Sequence, residues 1–178
     1  MSGCYNKSHP TMIHTARSVS FFRNFIFGVE DSLVSTVGLL SGIALATVPG
    51  KTIFLTGVVL VLVEAFSMSA GSFLSESSAE GYASGTDMPT KNNIAAAAVM
   101  FFSYFVSGFI PLFPYVLWPV STALPVSVAA SVVALFCLGL LSAALSRTGL
   151  VKSGLRMMLI GGVAIAVGAA AGSVVSLF

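Results

Sequence analysis

Residues 27–42 read FGVEDSLVSTVGLLSG, an apolar run that nonetheless carries two adjacent carboxylates, Glu30 and Asp31. Residues 64–75 read EAFSMSAGSFLS and open on a third acid, Glu64. Half of the six acidic residues in this 178-residue chain therefore lie where hydrocarbon is expected. An ionisable side chain at a membrane-helix centre costs at least about 2.5–3.5 kcal/mol on insertion scales, so it faces a bundle interior, a partner or an ion path. Transport is the first function that such a placement suggests.

Composition extends this reading to the whole chain. Hydrophobic residues make up 56% and charged residues 8%, and the mean hydropathy is +0.99, values that exclude an ordinary soluble domain. Stretches near the ~20 residues needed to cross about 30 Å of hydrocarbon fall at 25–48, 53–74, 94–113, 126–145 and 155–178. The expected fold is an all-α integral membrane protein, with an N-terminal tail over 1–22 and a single domain of five transmembrane helices over 23–178. Pro111, Pro114, Pro119 and Pro125 punctuate the approach to the fourth helix. Because proline disfavours helix interiors, a short re-entrant stretch there is the alternative to a simple loop. The tail has no apolar run of signal-peptide length and reads as retained.

The basic residues supply an orientation. Lys7, Arg17 and Arg23 precede the first helix, Lys91 follows the second, and Arg147, Lys152 and Arg156 lie between the fourth and fifth, against Lys51 alone on the other side. This positive-inside bias places the N-terminus in the cytoplasm and, after five crossings, the C-terminus on the opposite face. The same residues are spread over three segments without interleaved aromatics, so the net charge of +2 gives no reason to invoke nucleic acid. Tyr115 and Trp118, among the prolines, suit an interfacial aromatic belt. Cys4 in the tail and Cys137 in the fourth helix form no metal-ligand cluster, and His9 and His14 in the polar tail are assigned no role.

Helical spacing then assembles a path. Glu64, Met68 and Ser72 recur every four residues and stack on one face of the second helix, while Asp31, Ser35, Gly38 and Gly42 make a small, polar face on the first. Counting about 1.5 Å per residue from entry points near Phe22 and Glu76 puts Asp31 and Met68 at one level, with Glu64 deeper. Carboxylate oxygen with thioether sulfur, and hydroxyls from Ser35, Ser67 and Ser72 nearby, favours a first-row transition metal over magnesium or calcium. The absence of a cysteine–histidine set argues against a tight zinc site, and weak binding suits a carrier. A carboxylate in a low-dielectric setting favours its neutral form, so metal arrival and proton departure would be linked at Asp31 or Glu64. Glu30 lies about 100° around the helix from Asp31, either lining the path or facing headgroups or a cytoplasmic vestibule. The plainer alternatives are a gap-filling Met68 and a neutral Glu64 that ties helices together.

The two quoted stretches resemble the vacuolar iron transporter family, whose first helix reads roughly G-V-N-D-G-L-V-S-T and whose second reads S-M-A-x-G-E-[FY]-[LV]-S. The run Ile110-Pro111-Leu112-Phe113-Pro114-Tyr115 resembles its third-helix ending, and the likeness extends over most of the chain from Arg23 onward. The resemblance implies a five-helix homodimer in a vacuole-type or cell membrane. It would move ferrous iron, and often manganese, out of the cytosol in exchange for protons, with Asp31 and Met68 on the metal path at the interface between first helices. The metal is then cargo, and no permanently bound cofactor is expected. Ser72 stands where the motif usually has glutamate, Glu30 and Ser32 replace the usual Asn and Gly, and Glu64 is an additional acid. The cytoplasmic metal-binding domain found between the second and third helices of plant vacuolar members is missing, so the chain resembles the short form.

Gly38 and Gly42 form a G-x-x-x-G pair, and Ala164, Gly168, Gly172 and Ser176 form a row on the last helix. Such rows favour close helix contact, either within a subunit or across a dimer, and for the first helix the resemblance favours the dimer. A metal carrier ranks first among the functions, ahead of a non-transporting membrane scaffold or partner anchor. An enzyme ranks last, because the chain has neither an H-E-x-x-H zinc helix nor a G-x-S-x-G elbow.

Overall fold

Side chains that are apolar all round a helix, with no dominant stripe, belong in lipid, and this chain spends its apolar residues on such helices. A computed structural model describes residues 10–85, 91–146 and 148–175. In chain order these form α1 (Pro10–Leu45), α2 (Gly50–Ser84), α3 (Lys91–Leu112), the single-turn α4 (Pro114–Leu117), α5 (Val120–Ser146) and α6 (Leu150–Val175). Five hold stretches long and apolar enough to cross a membrane: Ser18–Leu45, Gly50–Tyr82, Lys91–Leu112, Val120–Ser146 and Leu150–Val175. The chain is thus the expected all-α protein with five membrane-spanning helices. From Pro10 onward the expected tail is continuous with α1. Cys4, Lys7, His9, Asp87, Arg147 and Ser176, with the side chains of His14 and Arg17, lie outside the described residues.

The first two helices are unusually long. α1 has 36 residues and α2 has 35, roughly 54 and 52 Å at about 1.5 Å per residue, against about 30 Å of hydrocarbon. A tight turn joins the end of α1 to the start of α2. Thr47 adopts a φ of 59°, the Ala46 and Thr47 amides donate to the carbonyls of Gly42 and Ala44, and the Pro49 carbonyl accepts from Thr52 and Ile53 to start α2. Both helices consequently overshoot the membrane on the side away from the turn. α2 takes in most of the polar stretch after Leu74 and stops only at Gly85, whose φ of 69° and amide bond to the Gly81 carbonyl form a left-handed cap.

The prolines before the fourth span neither delay it nor create a re-entrant stretch. α5 starts directly after Pro119, whose carbonyl accepts from Thr122 and Ala123, and it runs through Pro125. Proline forfeits its own amide bond and its ring crowds the carbonyl four residues back, and packed neighbours in a membrane bundle accommodate both. Pro111 sits in the last turn of α3, where carbonyls lack intrahelical donors, and Ser127 Oγ donates to its carbonyl at 2.7 Å. Trp118 is exposed as an interfacial residue would be, but Tyr115 is buried against Leu112 and Ala123 and does not join a belt.

α1 is the centre of the bundle, packed against α2, α3, α5 and α6, with Leu33, Val37 and Leu40 wholly buried. Hydroxyls bind the polar positions inward: Ser32 Oγ donates to the Tyr104 carbonyl at 2.7 Å and Ser69 Oγ to the Ala97 carbonyl at 2.9 Å. The glycine pair of α1 meets the small-residue row of α6 in the same chain. A Cβ at Gly168 would strike the Gly38 carbonyl, and one at Gly172 the Gly42 carbonyl. Gly38 and Gly42 therefore pack α1 against α6 within one chain, the helix-packing alternative of the sequence reading. The physical reason is the matching row on α6, which lets two backbones approach without side chains between them.

Gly168→Leu is expected to force α1 and α6 apart and to cost about 1–3 kcal/mol, as overpacking does. The check is the thermal-unfolding midpoint of the micelle-solubilised protein. Gly162→Leu, on the same helix where an added Cβ meets nothing within 4 Å, should leave that midpoint unchanged or slightly raised.

Candidate functional site

Two hydrogen-bonded levels fix how α1 and α2 run past each other. Ser20 Oγ donates to Glu76 Oε1, and one turn further along α1 the Asn24 amide donates to Ser72 Oγ at 2.8 Å, one turn back along α2. Continuing this antiparallel register brings Asp31 level with Ala65 and its neighbour Glu64, while Met68 falls opposite Gly28. Counting from the connecting turn gives the same answer, because Asp31 and Glu64 each lie 14 residues from their helix ends at Leu45 and Gly50, about 21 Å into the bilayer. Asp31 thus shares its level with Glu64 and not with Met68, which sits about one turn nearer the long-helix side. The sequence-based count missed this because its two starting points, Phe22 and Glu76, are not opposite one another.

The acids interact as their level implies. Asp31 and Glu64 lie within electrostatic reach of one another and of the Tyr104 phenol. Tyr104 is fully buried and shares a 2.7 Å hydrogen bond with Ser35 Oγ, so Asp31, Glu64, Ser35 and Tyr104 form one polar layer between α1, α2 and α3. Glu30 lies within electrostatic reach of Arg156 on α6 and of its neighbour Asp31, rotated from Asp31 by about 100° around α1.

Below this layer, a cleft of about 630 Å³ opens between the same helices, lined among others by Asn24, Phe27, Met68, Ser72 and Met100. Met68 and Met100 give it two thioethers. Asn24 is almost wholly buried and spends its amide on three acceptors: Ser72 Oγ, Glu76 Oε1 at 3.2 Å and the Ala96 carbonyl at 3.3 Å. Glu76 accepts from Ser20, Arg23 and Asn24 on the same oxygen. It extends the α2 stripe by one turn, so that Glu64, Met68, Ser72 and Glu76 stand at intervals of four residues. Sequence reading overlooked Asn24, Met100, Tyr104 and Glu76. For Glu76 the signal was present in the four-residue spacing, which the sequence reading followed only from Glu64 to Ser72.

Among the described residues no three of His, Cys, Asp and Glu gather in one place. The α1–α2 seam offers instead a pair of carboxylates, then thioethers, then a third carboxylate, strung along one face. A multi-pass membrane protein with a polar, ligand-bearing seam between its two longest helices has the build of a transporter. The family model described as the VIT family matches residues 22–86 and 79–173, and the chain belongs to that vacuolar iron transporter family. Similar curated proteins are vacuolar iron transporter homolog 3 of Arabidopsis thaliana, 28% identical over 165 residues covering 85% of this chain and 82% of the relative. Vacuolar iron transporter homolog 4 of the same plant is 27% identical over 176 residues, covering 90% and 87%. Metal transport is the activity that this membership supports, and the family is one of transporters and not of enzymes.

Asn24→Ala is expected to destabilise the fold by about 1–3 kcal/mol, because it leaves buried acceptors on α2 and α3 without their donor. A fall in the micelle thermal-unfolding midpoint measures it. Thr56→Ala, which removes only a surface bond within α2, is the control and should shift the midpoint little.

Proposed function

We propose that this protein carries a divalent transition metal, ferrous iron or manganese, out of the cytosol along the α1–α2 seam, in exchange for protons, in a vacuole-type or cell membrane. The observation that carries the reading is the level pairing of Asp31 with Glu64 inside the bilayer, with Met68 one turn away on the same face as Glu64. Two carboxylates facing each other in a low-dielectric layer repel, and either protons or one dication relieves the repulsion. A site that exchanges one for the other is the minimal unit of an antiporter.

The donor set supports a soft first-row ion, since Met68 and Met100 add sulfur to carboxylate and hydroxyl oxygen. Asp31, Glu64 and Met68 are the metal-contacting residues of this reading, with Ser35 and Ser72 lining the path. Glu30, within electrostatic reach of Arg156 and Asp31, supplies charge at its edge. The excess of basic residues on the side where α1 begins puts that side in the cytosol, so that metal would meet the methionine-lined cleft before the acidic layer. A second copy of the chain, in a homodimer, would cover the half-exposed side of the seam, using surfaces other than the glycine row already occupied by α6.

Proteoliposomes loaded with a pH dye test the proposal by recording metal and proton movement together. Wild type should take up Fe2+ and Mn2+ with matched proton counterflow. Asp31→Asn should lower the initial rate by at least about tenfold, the lower end of what altered metal sites lose, while retaining the wild-type melting profile. Folded wild type that moves neither ion would transfer the assignment to a membrane scaffold.

A further inference from the structure

The resemblance and the sequence reading place the path's ligands at and above Met68. We propose that Glu76 is a further ligand for the divalent cation, standing where the seam opens, and that Arg23 is its resident counter-charge, displaced when the cation binds. This deepens the transport reading and rests on it for the direction of travel.

Position comes first. Glu76 lies 26 residues beyond Gly50 along α2, about 39 Å at about 1.5 Å per residue, which is outside about 30 Å of hydrocarbon measured from the turn. A dication arriving on that side passes Glu80, one turn further out on α2 and bonded to Asn93 at 3.0 Å, and then reaches Glu76, which is held between α1 and α2 by Ser20 and Asn24. From Glu76 inward, Ser72, Met68 and Glu64 follow on one helical stripe, so each step of one turn offers another oxygen or sulfur donor.

The local bonding separates a ligand from a plain tether. Ser20 and Asn24 donate to Glu76 Oε1 from inside the helix pair, where Asn24 is buried, and they fix the carboxylate in place. Arg23 reaches the same oxygen from outside at 3.2 Å, with about two-thirds of its side chain exposed, whereas Glu76 is only 16% exposed. Neutral donors thus orient the carboxylate permanently, and the one positive charge on it is held weakly, as exposed pairs are. Arg23 also lines the methionine cleft. Its guanidinium neutralises Glu76 when no metal is present, and its departure frees both the carboxylate and the opening to the cleft.

Equilibrium binding of Mn2+ to the purified protein in micelles tests this directly, with the paramagnetic resonance signal of free Mn2+ as readout. Arg23→Gln should tighten binding roughly two- to fivefold, the worth of an exposed ion pair. Glu76→Gln, which keeps an acceptor for Ser20 and Asn24, should weaken it by a larger factor, and the double variant should match Glu76→Gln. A tether alone would lower the melting midpoint in both single variants and leave Mn2+ binding unmoved, which would overturn the proposal. Should Glu76→Gln not fold, Arg23→Gln decides by itself: tighter binding supports the ligand, and unchanged or weaker binding overturns it. Repeating the titrations in an Asp31→Asn background separates the two claims. Loss of the Glu76 effect there and in wild type sinks this inference, whereas Asp31→Asn binding like wild type sinks the inner site and leaves Glu76 standing.

Discussion

The register between α1 and α2 is the constraint on which the rest of the site depends, and Asn24 holds it. Its amide reaches Ser72 and Glu76 on one helix and the Ala96 carbonyl on another, so three helices are locked at one height near the end of the membrane-spanning stretch. Two helices joined only by a turn about 32 Å away would otherwise slide by a turn at small energetic penalty, because lipid gives apolar faces no preferred register. A slide of one turn would put Asp31 opposite Met68 or Val61 in place of Glu64. The paired acidic layer therefore exists because an amide outside it has no other place to spend its donors.

The same logic explains why α1 is central and not peripheral. Its apolar positions Leu33, Val37 and Leu40 are fully enclosed, and its glycines admit the α6 backbone to contact distance. One face is thereby closed by α6, a second by α3 through Gly28, Ser32 and Tyr104. The face bearing Asn24, Asp31 and Ser35 is left to the seam. The polar residues Asn24, Ser32 and Ser35 on α1 bond to neighbouring helices, while Glu30 lies within electrostatic reach of both Arg156 and Asp31.

Much of this was legible in the sequence, for identifiable reasons. Hydrocarbon thickness dictates helix length, so five spans follow from apolar runs alone, and the acids inside them stand out because insertion penalises them. What escaped was set by contacts between elements. Nothing in the run after Leu74 distinguishes a polar loop from a polar helix that overshoots the bilayer, so the apolar span alone was read as ending there. Pro125 looked like a boundary because proline's local effect is readable while the support from its neighbours is not. The depth of Met68 erred by one turn for a similar reason, since depth along one helix fixes no register to another. The glycine pair on α1 was recognised as a contact, but only the structure shows that its partner is α6.

The family motif usually carries glutamate at the position that Ser72 occupies, and the additional acid Glu64 lies two turns away from it along α2. The structure offers a nearer substitute. Glu76 is one turn from Ser72 on the same face, and Asn24 donates to both side chains at once. Because a helix repeats its face every four residues to within about 40°, moving an acid by one turn keeps it on the seam and changes only its depth. Here that step carries the charge from the edge of the hydrocarbon into the protruding ends of α1 and α2, where desolvation costs less and an arginine can hold it. Depth is then what separates Glu76 from the position of the motif's glutamate, and the helical stripe is common to both.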